Sequence, residues 1–153
     1  IPAGQYDWWQ SVFEYLHNPS ARVTGTFRFY SGDYYDGDFL ATEFTSEYRI
    51  TPKATASLGW TRQDIKLPGG SFINHLVPLK ASYAFTTLAN LSALLQYNSQ
   101  TGLFSSNVRL AFLNRGGTGL FIVFNNRRDV LSSTPQETLG RSFVVKYTKL
   151  FDF

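Results

Sequence analysis

The residues that could do chemistry are few. The only histidines are His17 and His75, and there is no Cys, so neither thiolate chemistry nor a disulfide framework is open to this chain. His75 follows Ser71 and Asp64 within one stretch, "DIKLPGGSFINH". A hydroxyl nucleophile, an imidazole base and an orienting carboxylate are the parts of an acyl-transfer site. A second cluster, "GDYYDGD", holds Asp33, Asp36 and Asp38. Three carboxylates have the chemistry to hold Ca²⁺, but their spacing departs from the EF-hand pattern, and Asp-Gly is first of all a turn signal. Tyr34 and Tyr35 beside these carboxylates could contact sugar. No phosphate-binding glycine loop and no zinc-ligand spacing is present. No catalytic residue, cofactor or metal site is therefore expected from motifs alone.

Charge adds little. Fourteen Lys and Arg against eleven Asp and Glu give a formal net charge of +3, and no basic run exceeds Arg127-Arg128. A nucleic-acid surface would need a denser basic patch, so nucleic acid is not an expected partner.

These residues must be positioned by strands. The 153 residues are 43% hydrophobic and 17% aromatic, yet mean hydropathy is only -0.17, because apolar and polar residues alternate. Period 2 is the signature of strands. It predicts about nine of them, near 6–17, 22–31, 38–50, 53–63, 74–85, 90–98, 106–114, 119–126 and 141–152. No segment has helical periodicity. No apolar run approaches the roughly 18 residues of a spanning helix. No linker divides the chain, so residues 1–153 read as one domain. The start, "IPAGQYDWW", has neither an initiator Met nor a signal peptide. Processing and a piece of a longer chain both fit it.

The connections read as sorted by length. "NPSA", "TP", "TTLA" and "RGGT" are short, and alternate with "GDYYDG", "DIKLPGGSFI", "SQTGLFS" and "NRRDVLSSTPQETLG". In an up-and-down antiparallel sheet this puts short turns on one side and long loops on the other, the asymmetry of an outer-membrane barrel. The fold expectation is therefore all-β: an antiparallel up-and-down transmembrane β-barrel, or the C-terminal part of a larger one, with short periplasmic turns and long outer loops.

Alternation also assigns faces. Apolar positions such as Val108, Leu110 and Phe112 would meet lipid, while Glu14, Arg28, Glu43, Glu47, Arg49, Lys80, Arg109 and Lys146 would line the interior. Arg28 has Glu14 and Glu43 on neighbouring strands, so pairing across the wall is expected in preference to a selectivity ring. Aromatic girdles at the two interfaces are expected from Tyr15, Tyr48, Tyr83 and Phe85 near the short turns, and from Phe29, Trp60 and Tyr97 near the long loops. Phe151 continues the girdle in the last strand. Two residues break the pattern. Lys149 falls on the outward face, and Pro78 inside the fifth strand predicts a bulge or kink.

The segments "GDYYDG", "LPGGSFINHLV", "LLQYNSQTGLFSSNVRLAF", "GLFIVFNNRRD" and "RSFVVKYTKLFDF" resemble the C-terminal barrel region of a bacterial outer-membrane family of unknown function. Members of that family commonly carry an N-terminal module similar to family-9 carbohydrate-binding domains. The resemblance implies location in the bacterial outer membrane, the lipid bilayer as a partner, and a link to glycans through outer loops or an upstream module. By resemblance to outer-membrane proteins, the aromatic alternation of Tyr147, Phe151 and Phe153 would be the signal read by the assembly machinery. The resemblance supplies no catalytic residues. The expected function is a non-enzymatic wall of a pore-like or transporter-like barrel, linked to glycan binding or uptake. Two other readings stay open: an outer-membrane hydrolase with its site at the outer rim, and a soluble carbohydrate-binding β-sandwich.

Overall fold

In a computed structural model that describes residues 5, 7–114, 118–131 and 138–149, the chain forms nine strands in one sheet. They are β1 (Gln10–Leu16), β2 (Val23–Tyr34), β3 (Gly37–Thr51), β4 (Ala54–Leu67), β5 (Gly70–Ala84), β6 (Ala89–Asn98), β7 (Leu103–Leu113), β8 (Gly119–Asp129) and β9 (Thr138–Thr148). Each strand pairs antiparallel with its sequence neighbours, in the order β1 to β9. The up-and-down all-β architecture is the one that the alternation predicts. Among the described residues no pairing joins β1 to β9, so the sheet has two edges. Phe151 and Phe153 lie outside the described residues.

The connections differ from the expectation. At one end they span 17–22, 52–53, 85–88 and 114–118; at the other, 35–36, 68–69, 99–102 and 130–137. They are not sorted by length. The residues expected in long outer loops belong to the strands instead. β2 runs to Tyr34, β4 to Leu67 and β8 to Asp129, while β5 begins at Gly70 and β7 at Leu103. Tyr35 and Asp36 alone turn β2 into β3, with Tyr35 at φ 54°. Pro68 and Gly69 do the same between β4 and β5. Asp-Gly and Pro-Gly here act as tight turns and not as loop composition.

Register sorts every strand residue onto one of two faces. The Arg28 face carries Glu14, Arg28 and Glu43 side by side on β1, β2 and β3, and Thr61 continues the row on β4. The Trp60 face carries Tyr15, Phe27, Phe44 and Trp60 in the adjacent row. Ala41, Gly59, Ile65, Ala111 and Gly119 are buried and all lie on the Arg28 face. Such enclosure marks the concave side of a curved sheet. Asn126, on the Trp60 face, is the buried exception.

Among the described residues, no second layer covers this sheet. The accessible surface is 10803 Å² for 17.3 kDa, whereas a globular protein of that mass exposes roughly 7,800 Å². Of the described residues, only Ala41, Ile65 and Ala111 are buried hydrophobics, and no large side chain is fully buried. A soluble sandwich needs two sheets facing each other; the described residues form one.

Pro78 causes no bulge. It pairs with Gln96 in an unbroken β5–β6 register. On the other side the β4–β5 pairing pauses between Leu58–Leu79 and Thr61–Leu76, then resumes without a slip. Gly59 lies opposite Pro78, and a Cβ there would sit 2.9 Å from the ring. The missing donor and the ring are absorbed by one residue without a side chain.

Close approach also fixes Gly37. A Cβ on it would meet the carbonyl oxygen of Lys66 at 1.8 Å, whereas one on Gly69 would meet nothing. Gly37→Ala is expected to cost roughly 1–3 kcal/mol by forcing β3 away from β4, and Gly69→Ala to be near neutral. Thermal unfolding of the two variants in detergent, followed by circular dichroism, checks the contrast.

Candidate functional site

The site with the most chemistry is the Arg28 face. Glu14, Arg28, Glu43, Glu47, Arg49, Lys80, Arg109 and Lys146 all fall on it. Strand alternation achieves this without any loop, because the registers shift only at Arg49/Thr51 and Arg127/Arg128, beyond these residues. Arg28 Nε donates to Glu14 Oε1 at 2.6 Å, and its guanidinium lies 3.9 Å from Glu43 Oε2. Arg49 Nε is 3.8 Å from Glu47 Oε1 along the same strand, and its other end donates to the Pro19 carbonyl at 2.9 Å. The positive charges farther round are held differently. Arg109 lies over the Phe121 ring at 5.0 Å. Lys80 borders a trough of about 470 Å³ with Thr45, Glu47, Thr55, Ser57 and Ser92. Lys146 stands opposite Phe121. Among the described residues, no carboxylate pairs with Lys80, Arg109 or Lys146.

Neutral groups that alternation also assigns to this face complete it, and the register shows which of them pair. Thr55 and Ser82 share a hydroxyl hydrogen bond of 2.7 Å. Asn107 donates to Asn125, which donates to Ser142 at 3.0 Å, so one polar ladder crosses β7, β8 and β9. The signal was present in the spacing, but pairing it requires the register.

The Trp60 face is apolar through most of its height. Tyr15, Phe29, Tyr48, Trp60, Tyr83 and Tyr97 lie on it, and Phe85 packs edge-on to Tyr83 just beyond β5. Tyr147 is on the same face of β9 and 64% exposed. Phe29 and Trp60 are not at strand ends. They lie mid-strand, because β2 and β4 continue past them to Tyr34 and Leu67. Beyond them the face turns polar: Ser31, Asp33, Asp38, Arg62, Asp64, Lys66 and His75. Lys149 lies one residue past β9.

The hydrolase constellation does not assemble. Ser71 and His75 are four residues apart on one strand, roughly 13 Å. The His75 ring stacks on Trp60 at 5.9 Å, and Asp64 accepts from Arg62 at 3.2 Å. Asp33 and Asp38 stand opposite each other across β2 and β3, but Asp36 is in the turn, Asp33 Oδ2 accepts from the Trp9 amide at 3.3 Å, and Asp38 also neighbours Lys66 on β4, so the three carboxylates form no metal-binding group. No metal-binding group of His, Asp or Glu occurs among the described residues.

Comparison with protein-family models, with curated proteins and with solved structures found no match.

The Glu14–Arg28–Glu43 row makes its own test. These side chains are 37–44% exposed, so solvent screening keeps each pair weak. A double-mutant cycle of Arg28→Gln and Glu14→Gln is expected to give a small favourable coupling that shrinks in 1 M salt. Equilibrium unfolding measures it, and a coupling indistinguishable from zero at low salt would remove the row as a stabilising device.

Proposed function

We propose that the chain is a non-enzymatic wall of a bacterial outer-membrane β-barrel, with the Trp60 face against lipid and the Arg28 face turned to a pore-like or transporter-like interior. The observation that carries this reading is the exposed apolar face. Phe13, Phe44, Leu58, Leu79, Phe112, Phe124 and Phe143 all stand on it, from 39% to 67% exposed. Water does not tolerate a contiguous patch of that extent, and nothing else among the described residues covers it.

The dimensions fit lipid. The apolar stretch covers about seven to nine residues of most strands, and at a tilt near 40° that is a band roughly 20 Å tall. Outer-membrane barrels carry bands of about 25 Å, in a bilayer thinner than average. The opposite face, with paired charges and hydroxyl ladders, is suited to water. The end bearing Asp33, Arg62, Asp64 and Lys66 would project beyond the outer leaflet. The resemblance to an outer-membrane family points the same way, and it motivates the link to glycan binding or uptake. The hydrolase reading draws no support, because His75, Ser71 and Asp64 are separated or engaged elsewhere.

The experiment is reconstitution. The protein refolded into phospholipid vesicles or LDAO micelles is expected to float with lipid, show strand circular dichroism and migrate faster on unheated gels. A chain that folds in plain buffer and stays out of vesicles would sink the proposal. Within folded protein, Leu110→Arg on the apolar band is expected to cost roughly 2–4 kcal/mol in lipid. Thr45→Arg on the Arg28 face should cost less than about 1 kcal/mol.

A further inference from the structure

We infer that the outer end of the Arg28 face, on β1 to β6, is a binding site for a neutral oligosaccharide. This rests on the proposed orientation of the sheet only for its biological setting; the site itself is defined by side chains within the chain.

The polarity of the two faces inverts at this end. All the charges of the outer parts of β2 to β5, namely Asp33, Asp38, Arg62, Asp64, Lys66 and His75, are on the Trp60 face. The Arg28 face at the same height carries no charged strand residue from β1 to β6. It carries aromatic rings and neutral hydrogen-bonding groups instead. Trp8 and Tyr35 have ring centroids 5.5 Å apart, Tyr35 and Tyr34 4.9 Å, and Tyr34 and Phe39 6.0 Å. The rings meet tilted or edge-on, and Trp8 is 55% exposed. Beside them, between the 35–36 and 68–69 turns, is a cavity of about 580 Å³ bordered by Tyr35, Asp36, Leu67, Pro68, Ser71 and Phe72. That volume suits a small ligand.

Directly below the rings Gln63 stands opposite Asn74, whose Oδ1 accepts from the Gln100 amide at 3.4 Å. Gln96 stands opposite Pro78, lower on the same face, and Asn98 already accepts from the amides of Gln100 and Thr101 at 3.0 and 3.1 Å. Among the described residues, Gln63 has no side-chain partner, and its half-buried amide can both donate to and accept from a ligand.

The combination selects the ligand class. Aromatic rings offer apolar faces on which the C–H side of a sugar ring can lie. Neutral amides match hydroxyls in both directions. Asp36 at the cavity repels an anionic ligand, and no cationic strand residue on this face from β1 to β6 at this height offers one a counter-charge. A purely apolar ligand would leave the Gln63 amide unsatisfied.

The test uses Trp8 as reporter. Trp9→Phe/Trp60→Phe protein, purified in LDAO, is titrated with maltohexaose, cellohexaose, xylohexaose and chitohexaose, and with a hexagalacturonate as the charged control. A saturable change in Trp8 fluorescence with at least one neutral hexasaccharide is expected, with hexagalacturonate at least tenfold weaker. Gln63→Ala and Phe39→Ala, each with unchanged circular dichroism, should weaken binding by about tenfold, a loss of about 1.4 kcal/mol. If either variant loses strand content, Asn74→Ala takes its place. The inference is overturned by no saturable response from the four neutral sugars, by equal or tighter binding of the charged one, or by unaltered affinity in folded variants. Vesicle partition is measured on the same preparation. A protein that enters lipid but ignores sugars refutes this site alone, and one that stays out of lipid refutes the membrane reading.

Discussion

An apolar face with no partner inside the chain is the constraint on which the rest of this structure depends. An antiparallel sheet can satisfy its backbone through the ladder alone, and here pairing is continuous from β1 to β9. Side chains have no such self-sufficiency. With Ala41, Ile65 and Ala111 the only buried hydrophobics among the described residues, packing between them contributes little, and the environment must supply the missing contacts. In lipid, the apolar face gains that contact from acyl chains. The Arg28 face can then stay hydrated, which explains why its ion pairs are half exposed and its hydroxyls are tied in pairs. Strand pairing carries the order that a core would otherwise impose.

In the proposed membrane setting, the inversion of polarity follows from strands longer than the band they would cross. Spanning takes about 9–11 tilted residues, and β3 and β5 each have fifteen. Past the band, the outer surface would meet water, and it carries Asp33, Arg62, Asp64 and Lys66. The inner surface there is the more enclosed one. Ala41 and Ile65 are buried there, and Gly37 lets β3 approach the Lys66 carbonyl. The aromatic and amide site occupies this second, smaller environment.

Strand number, order and face assignment were legible in the sequence, because period 2 survives any uncertainty about turns. The strand ends were not legible, and the inversion is the reason. At Phe29 and again at Trp60 the apolar positions stop following one parity and begin following the other, as Tyr30 and Ile65 show. A reader tracking a single face sees the pattern fail and assigns a loop. Pro78 misled for a related reason: its compensation, Gly59, is nineteen positions away in sequence and adjacent only through the β4–β5 register. The suspected triad failed by the same geometry. Ser71, His75 and Asp64 are close in sequence, but an extended strand spreads its residues at about 3.4 Å each.

The two edges carry the last consequence. β1 and β9 are separated by seven intervening strands in strict up-and-down order, so they run in the same direction. Pairing them directly would make one parallel seam. A wall that is antiparallel throughout needs an odd number of further strands between them, giving an even total, as in bacterial single-chain barrels. Both edges expose every residue of their strands, and hydrocarbon leaves an unpaired backbone group with no substitute for water. In the proposed setting the edges are therefore as strong a demand as the apolar face. The face asks for lipid, whereas the edges ask for strands, and only a closed wall meets both.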